Sequence, residues 1–384
     1  MYKRVLNLDL SAEETCFLWG PRQTGKSTLL KTLFPDAAIY DLLLSDEYRR
    51  FIADPSILRQ ECDARGLNRA TQKHPIIIDE VQKVPELLDE IHWLIENRGL
   101  RFILCGSSPR KLKRSKGNLL GGRGVRYELF PLIYREIPGF SLSQALNHGL
   151  LPRHYLGKHP QKLIQAYISD YLKEEIAAEA LTRNIPAFNR FLEVAALANG
   201  EIINYNNIAS ECGVSAPTIK EYFRILEDTL MGRFIPAFRK KVKRRLIGAP
   251  RFVFFDIGII AQLTRRGEVK EGSELFGRAF EHFIILEVLA HSSYSDLNYK
   301  VSYWRTASQF EVDLILENNI AIEIKSTDRV VDKHLKGLRA FKEEHDSKGI
   351  LVSRDPRPRK TPDDILILPW QDFLERLWSG EITG

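Results

Sequence analysis

Cysteine is scarce in this 384-residue chain. Its four thiols, Cys16, Cys62, Cys105 and Cys212, are scattered, with no C-x-x-C pair and no histidine at metal-ligand spacing. The pattern excludes a disulfide framework and reads as reduced, packed thiols. Long apolar runs are missing as well. None approaches the roughly 20 residues that cross a bilayer, and the opening MYKRVLNLDLSAEET has no apolar core of signal-peptide length. A cytoplasmic protein with no membrane partner is expected. Internal repeats and low-complexity stretches are absent too.

What is present is the composition of a globular protein, with 44% hydrophobic and 28% charged residues. The length suggests about two or three domains. The net charge of +6 is modest for this size but clustered, in RKLKRSKG (110–117), RKKVKRR (239–245) and RDPRPRK (354–360). Such runs suit nucleic-acid phosphate, since neutralising phosphates releases counterions. A solvated face is the plain alternative for any one of them.

Apolar periodicity divides the chain into four blocks. Residues 1–140 alternate short apolar runs (TCFLWG, AIYDLLL, PIIIDEV, RFILCG) with helical patterns, which predicts a parallel α/β sheet covered on both faces. Residues 141–200 follow helical spacing and are expected to form a helical lid or linker. Residues 201–260 carry a helix-turn-helix pattern and a basic run. Residues 261–384, a long apolar helix followed by alternating strands, are expected to be a separate mixed α/β domain.

GPRQTGKS, residues 20–27, follows the strand-like TCFLW and opens the helical KSTLLKTLF. It fits G-x-x-x-x-G-K-[ST] in the strand-to-helix setting that a phosphate-binding loop requires. Gly20 and Gly25 let the loop through Pro21, Arg22, Gln23 and Thr24 curl so that its N–H groups face phosphates. Lys26 then reaches the β- and γ-phosphates, Ser27 offers its hydroxyl to Mg2+, and Thr28 follows in the first helical turn. PIIIDEV supplies Asp79 at the end of a buried strand, where a carboxylate holds the Mg2+ shell, and Glu80, placed to orient or activate water. ATP and Mg2+ are the expected cofactors. RFILCGSS ends in Ser107 and Ser108, one of which is placed to sense the γ-phosphate unless it is a plain turn hydroxyl. GGRGVR puts Arg123 and Arg126 on a glycine-flexible loop. Arg123 is the better candidate for an arginine finger acting in trans, which implies a homo-oligomer; a solvated loop arginine is the alternative.

NYNNIASECGVSAPTIKEYFRIL, 204–226, has a small residue where helices cross, Gly213 for the turn, and Ile208, Val214 and Ile219 to hold the angle. Ser215 is a plausible N-cap of the second helix, Pro217 falls in its first turn, and Thr218, Lys220 and Arg224 point outward as groove contacts. RFIPAFRKKVKRRL then resembles the hairpin wing of a winged helix, with six basic residues in the seven from Arg239 to Arg245. Double-stranded DNA is the expected partner; a protein-protein module is the alternative.

FEVDLIL (310–316) and AIEIKST (321–327) are separated by a short turn. Period-two alternation puts Glu311 and Asp313 on one face of the first strand, and Glu323 and Lys325 on one face of the second. If Ile322 and Ile324 join the apolar face of the first strand, Asp313, Glu323 and Lys325 converge. Two carboxylates and a lysine suit a Mg2+- or Mn2+-dependent phosphodiesterase: Asp313 and Glu323 hold the cation and the lysine polarises the attacking water. Glu281 shares a helix face with Ile284, Ile285 and Val288 and adds a third acid on a face that should be buried. A salt-bridged sheet surface is the alternative. Asp256, in FVFFDIGII, is expected to cap the next helix. His74, His282, His291 and His334 show no consistent ligand spacing.

The order of these parts resembles a family of bacterial and archaeal AAA-type ATPases whose C-terminal region, described as a domain of unknown function, is related to PD-(D/E)xK nucleases. The resemblance covers nearly the whole chain and rests on GPRQTGKS, IIIDEVQKVPELL, ILCGSSPRKL, LLGGRGVRYELFPL, RRLIGAPRFVFFDIGI, GRAFEHFI and the EVD…EIK pair. It implies a P-loop parallel sheet, a helical lid with a winged helix-turn-helix, and a C-terminal α/β restriction-endonuclease-like domain. It also implies ATP and Mg2+ at Lys26, Ser27, Asp79 and Glu80, a sensor at Ser107, a finger-like Arg123, and a nuclease-type site at Glu281, Asp313, Glu323 and Lys325. Two departures are Cys105, where similar proteins often carry threonine, and FFDIG in place of FFDTG.

The leading expectation is an ATP-dependent DNA-binding protein whose ATPase controls a metal-dependent nuclease domain. Its rival is a nucleotide-switched DNA-binding or signalling protein with a silent nuclease fold. A remodelling motor acting on proteins is a third.

Overall fold

The computed structural model describes residues 2–110, 112, 120–176, 184–239, 248–317 and 319–383, and the chain divides into two compact units. The first comprises Met1–Leu132 with Asp228–Met231. The apolar runs TCFLW, IIID and FILCG form β1 (Thr15–Trp19), β3 (Ile76–Asp79) and β4 (Phe102–Gly106), buried along their whole length. Strands buried on both faces need such unbroken runs. With β2 (Ile39–Asp41) and β5 (Gly124–Glu128) they make one sheet in the order β2-β3-β4-β1-β5, every pair parallel. The helices are α1 (Lys26–Leu33), α2 (Ser45–Ala53), α3 (Ile57–Ala64) and α4 (Leu87–Arg98). Phe17, Phe51, Leu58, Ile78, Ile91, Phe102 and Leu104 share one core. Because all strands run the same way, the segments that leave β1, β3 and β4 emerge along one edge.

The second unit comprises Ile133–Glu227 and Gly232–Gly384. Its first part is helical: α5 (Leu142–His148), α6 (Pro152–Tyr155), α7 (Pro160–Ala166) running on into a π-helical Tyr167–Ile176, then α8 (Ile185–Leu197), α9 (Tyr205–Cys212) and α10 (Ala216–Asp228). Asn204 caps α9 by accepting from the N–H groups of Asn206 and Asn207. Gly213 turns the chain at a φ of 65°, and Ser215 accepts from Thr218 N at 3.3 Å, as its N-cap role requires. Phe223 of α10 packs on Phe191 and on Phe252 of an antiparallel hairpin, β6 (Gly232–Ile235) with β7 (Arg251–Phe254). The basic run at 239–245 lies, beyond Arg239, outside the described residues, as does the 110–117 run apart from Arg110 and Leu112.

After β7 come α11 (Ile257–Leu263) and α12 (Glu274–Tyr294). The expected cap is present: Asp256 Oδ1 accepts from Gly258 N at 2.9 Å. The C-terminal sheet is mixed, in the order β12-β13-β11-β10-β9-β8, from β8 (Val301–Arg305), β9 (Glu311–Leu316), β10 (Ile320–Ile324), β11 (Lys348–Ser353), β12 (Arg359–Lys360) and β13 (Ile365–Pro369). α13 (Lys336–Lys342) and α14 (Trp370–Trp378) complete the unit. All four cysteines are free and buried, and among the described residues no helix is long and apolar enough to cross a membrane.

Candidate functional site

The loop between β1 and α1 has its turn made by Gly25, which takes a φ of 96° that a side chain would strain. Lys26 is buried, and its ammonium donates to the carbonyls of Gly20 at 2.7 Å and Pro21 at 3.1 Å. Arg4 braces the loop from outside, donating to Thr24 O at 2.6 Å and Phe130 O at 2.7 Å. Ser27 donates to Asp79 Oδ2 at 2.6 Å, so the loop hydroxyl and the acid at the end of β3 already share one bond. An ammonium satisfied only by loop carbonyls, beside a hydroxyl-carboxylate pair, fits a nucleotide triphosphate with its Mg2+: Lys26 would exchange carbonyls for phosphate oxygens, and Ser27 and Asp79 would hold the ion.

Glu80 follows at a φ of 57°, left-handed backbone for a side chain with a Cβ, and is buried. Strain of this kind is kept where the surroundings over-determine it. The partner is Gln82, which donates through Nε2 to Glu80 Oε2 and to Ser107 Oγ, the latter at 3.1 Å. Gly106 makes room for this amide, since a Cβ there would stand 2.2 Å from Gln82 Oε1. Burial raises the Cys105 thiol well above its usual range, and Asp79 adds to the rise. Ser108 and Arg110 face elsewhere, donating to the carbonyl and carboxylate of Asp228 at 3.1 and 2.7 Å. Arg123 pairs with Glu96 of α4, both half-exposed. Arg4 and Gln82 escaped the sequence reading, and Arg110, read there as the start of a basic run, instead pairs with Asp228. Only Gln82 carried a signal, its place two residues after Glu80.

The second cluster lies within the second unit. Ala321 pairs with Ile315 and Ile322 with Leu314, the register that brings Glu323 beside Asp313. Lys325 Nζ stands 2.5 Å from Glu323 Oε1 and 3.7 Å from Asp313 Oδ2, which also accepts from Ile324 N at 2.8 Å. Glu281 of α12 faces the same cavity of about 320 Å3, together with Glu311, Arg278 and Arg305. Asp313 and Glu323 are buried rather than on a sheet surface. Burial, then the charge of Asp313, pushes the Glu281 and Glu323 carboxyls upward. Burial pulls the Lys325 ammonium down, but Asp313 and Glu323 outweigh it and hold it above the ordinary lysine range.

Arg251 of β7 enters this cluster, a residue with no sequence signal for it. Its guanidinium pairs with Glu311, and Nη1 lies 3.6 Å from Glu281 and 4.0 Å from Asp313. With that cation seated, the acids do not fit a metal ion, and among the described residues no three His, Cys, Asp or Glu form a ready ligand set.

The first unit is of the P-loop ATPase class, AAA type: a family model described as an AAA domain matches residues 12–138. Two further models, each described as a domain of unknown function, match residues 139–270 (DUF8612) and 276–373 (DUF4143). No curated protein matches the chain significantly. Among solved structures, the chain is similar to a Walker-type ATPase of Pyrococcus abyssi at 15% identity and a TM-score of 0.45, over 67% of this chain and 93% of that one. It is similar to a signal-transduction ATPase with numerous domains and a tetratricopeptide repeat sensor, from Pyrococcus horikoshii, at 13% identity and a TM-score of 0.22. That likeness covers 76% of this chain and 48% of the other.

Proposed function

We propose that the protein is a Mg2+-dependent ATPase in which nucleotide state switches engagement of double-stranded DNA by the second unit. The observation that carries the ATPase is the Ser27–Asp79 bond beside the Lys26 cradle, with Glu80 held next to it by Gln82. Lys26 binds phosphate, Ser27 and Asp79 hold the ion, and Glu80 aligns water for attack on the γ-phosphorus. Mg2+, when bound, neutralises charge building on the phosphate oxygens. Engagement of DNA is supported by the capped helix pair α9–α10, by exposed Lys220 and Arg224 on α10, and by the basic run that follows β6. Exposed basic side chains on the second helix of such a pair suit contacts to a DNA groove and its phosphates.

A second reading is phosphodiester hydrolysis at Glu281, Asp313, Glu323 and Lys325, favoured by their convergence on one cavity. The Arg251 guanidinium among those acids is our reason for preferring the switch.

The test is ATP hydrolysis and duplex binding by the full chain and by Glu80→Gln. Loss of a group that activates water costs about 10^2–10^4-fold in turnover, so Glu80→Gln should bind ATP yet hydrolyse it at least that much more slowly. Held in the ATP state, it should bind duplex with an affinity different from that of the nucleotide-free chain, and binding should weaken steeply with salt. Duplex affinity that is the same in both states would sink the switch.

A further inference from the structure

Asp228 is at once the last residue of α10 and the first of the segment Asp228–Met231 that clusters with the first unit. A helix C-terminus leaves carbonyls without intrahelical donors and carries the negative end of the helix dipole, so a carboxylate there is disfavoured unless a cation meets it. The residues that follow β4 supply both a donor and a cation. Ser108 Oγ donates to the Asp228 carbonyl at 3.1 Å, and Arg110 Nη1 donates to Asp228 Oδ2 at 2.7 Å. The Arg110 backbone N–H donates to Ser108 Oγ at 3.1 Å, which holds hydroxyl and guanidinium together. Ser108 and Arg110 are both buried, so this pair is screened less than one on the surface.

The same strand end begins at the ATP site. Ser107, next to Ser108, accepts from Gln82 Nε2, which also donates to Glu80. Gly106 leaves no slack between them, since a Cβ there would collide with Gln82 Oε1 and with the Trp19 ring. An interior packed this closely transmits a shift instead of absorbing it. Movement at Glu80, Gln82 or Ser107 is therefore felt at Ser108 and Arg110, and through them at Asp228.

We propose that the Ser108–Arg110 cap on Asp228 couples nucleotide to duplex: a γ-phosphate arriving beside Ser107 shifts the cap and, with it, the C-terminal end of α10. That helix carries exposed Lys220 and Arg224, the proposed duplex contacts, and Arg224 lies four residues before Asp228 on the same helix face. The proposal rests on the nucleotide-switched reading above and names its route. Its two states are a tight and a loosened cap, and each ligand prefers one of them. By linkage, duplex must change the affinity for ATP by the same factor as ATP changes the affinity for duplex.

The experiment measures duplex affinity of the full chain without nucleotide and with Mg2+ and a non-hydrolysable ATP analogue, and the analogue's affinity with and without duplex. In the wild type the two ratios should agree, at about 5–150-fold. Asp228→Asn keeps the shape and the carbonyl that Ser108 reaches, and removes the charge that Arg110 meets. It should shrink both ratios by about 2–30-fold, while ATP turnover without duplex stays at the wild-type level, because the phosphate loop, Asp79 and Glu80 are unchanged. Since the readout is a ratio, a general loss of duplex affinity does not mimic it. Arg110→Met breaks the pair from the other side and should cause the same loss, and the double substitution should lose no more than either alone. Circular dichroism establishes folding, and Arg110→Met carries the test if Asp228→Asn does not fold. Undiminished ratios in the folded variants, or losses that add in the double variant, would overturn this route and leave the switch standing. A wild-type chain whose duplex affinity ignores the analogue would overturn both.

Discussion

Gln82 is the residue through which Glu80, the proposed water-activating acid, and Ser107 meet, since one amide nitrogen donates to both. Such a side chain does no chemistry itself; it sets where the Glu80 carboxylate stands. A misplacement of about 1 Å costs up to ~100-fold in rate. Gln82→Ala should therefore lower ATP turnover about 10–100-fold while the KM for ATP hardly moves, because Lys26 and the loop are untouched. Steady-state kinetics decide it: a raised KM at unchanged kcat would make Gln82 a binding residue instead.

Among the elements, α11 and α12 are tied into the second unit by buried acids. Asp256 is fully buried and accepts from the N–H groups of Gly258, Leu150 and Leu151, so one carboxylate caps α11 and anchors the start of α6. Asp256→Ala strands three buried donors, and at about 1–3 kcal/mol each, with partial relief from water, should destabilise the unit by about 3–5 kcal/mol in chemical unfolding. Glu287 of α12 accepts from Tyr134 N at 2.6 Å and from the Trp378 indole at 3.0 Å. Burial nevertheless pushes its carboxyl from 4.5 to about 8. A carboxyl raised on folding binds a proton that the unfolded chain has released, so stability should fall as pH rises from about 4.5 to about 8. Glu287→Gln does not titrate and should flatten that part of the melting-temperature profile; an unchanged slope would show that the loss comes from other groups.

For the whole molecule, the question is whether the ATPase works alone. The Arg123–Glu96 pair is exposed on both sides, and such pairs contribute under about 1 kcal/mol. Little therefore holds the guanidinium back from a neighbouring chain. If Arg123 acts in trans, Lys26→Ala and Arg123→Ala should each be inactive alone, and mixing them should restore up to about a quarter of wild-type turnover when subunits pair at random in a dimer. Mixtures as inactive as their components would confine Arg123 to its own surface.

The chain's own sequence determined the chemistry that is local. The loop from Gly20 to Ser27, the acids after PIII and the hairpin that joins Asp313 to Glu323 and Lys325 depend on turn residues and on period-two or helical spacing, which neighbouring residues settle among themselves. The cap roles of Ser215 and Asp256 were legible for the same reason. Tertiary structure alone decided what those groups meet. Gln82 reaches Ser107 because β4 lies beside β3, and Arg110 reaches Asp228 because residues 228–231 return to the first unit. Arg251 joins Glu281 and Asp313 because β7 is packed against the cavity. Contacts between residues far apart in sequence follow from how elements pack, and no local pattern encodes a guanidinium's partner on another element. The acids and the lysine were therefore readable from the sequence, and the arginine that stands among them was not.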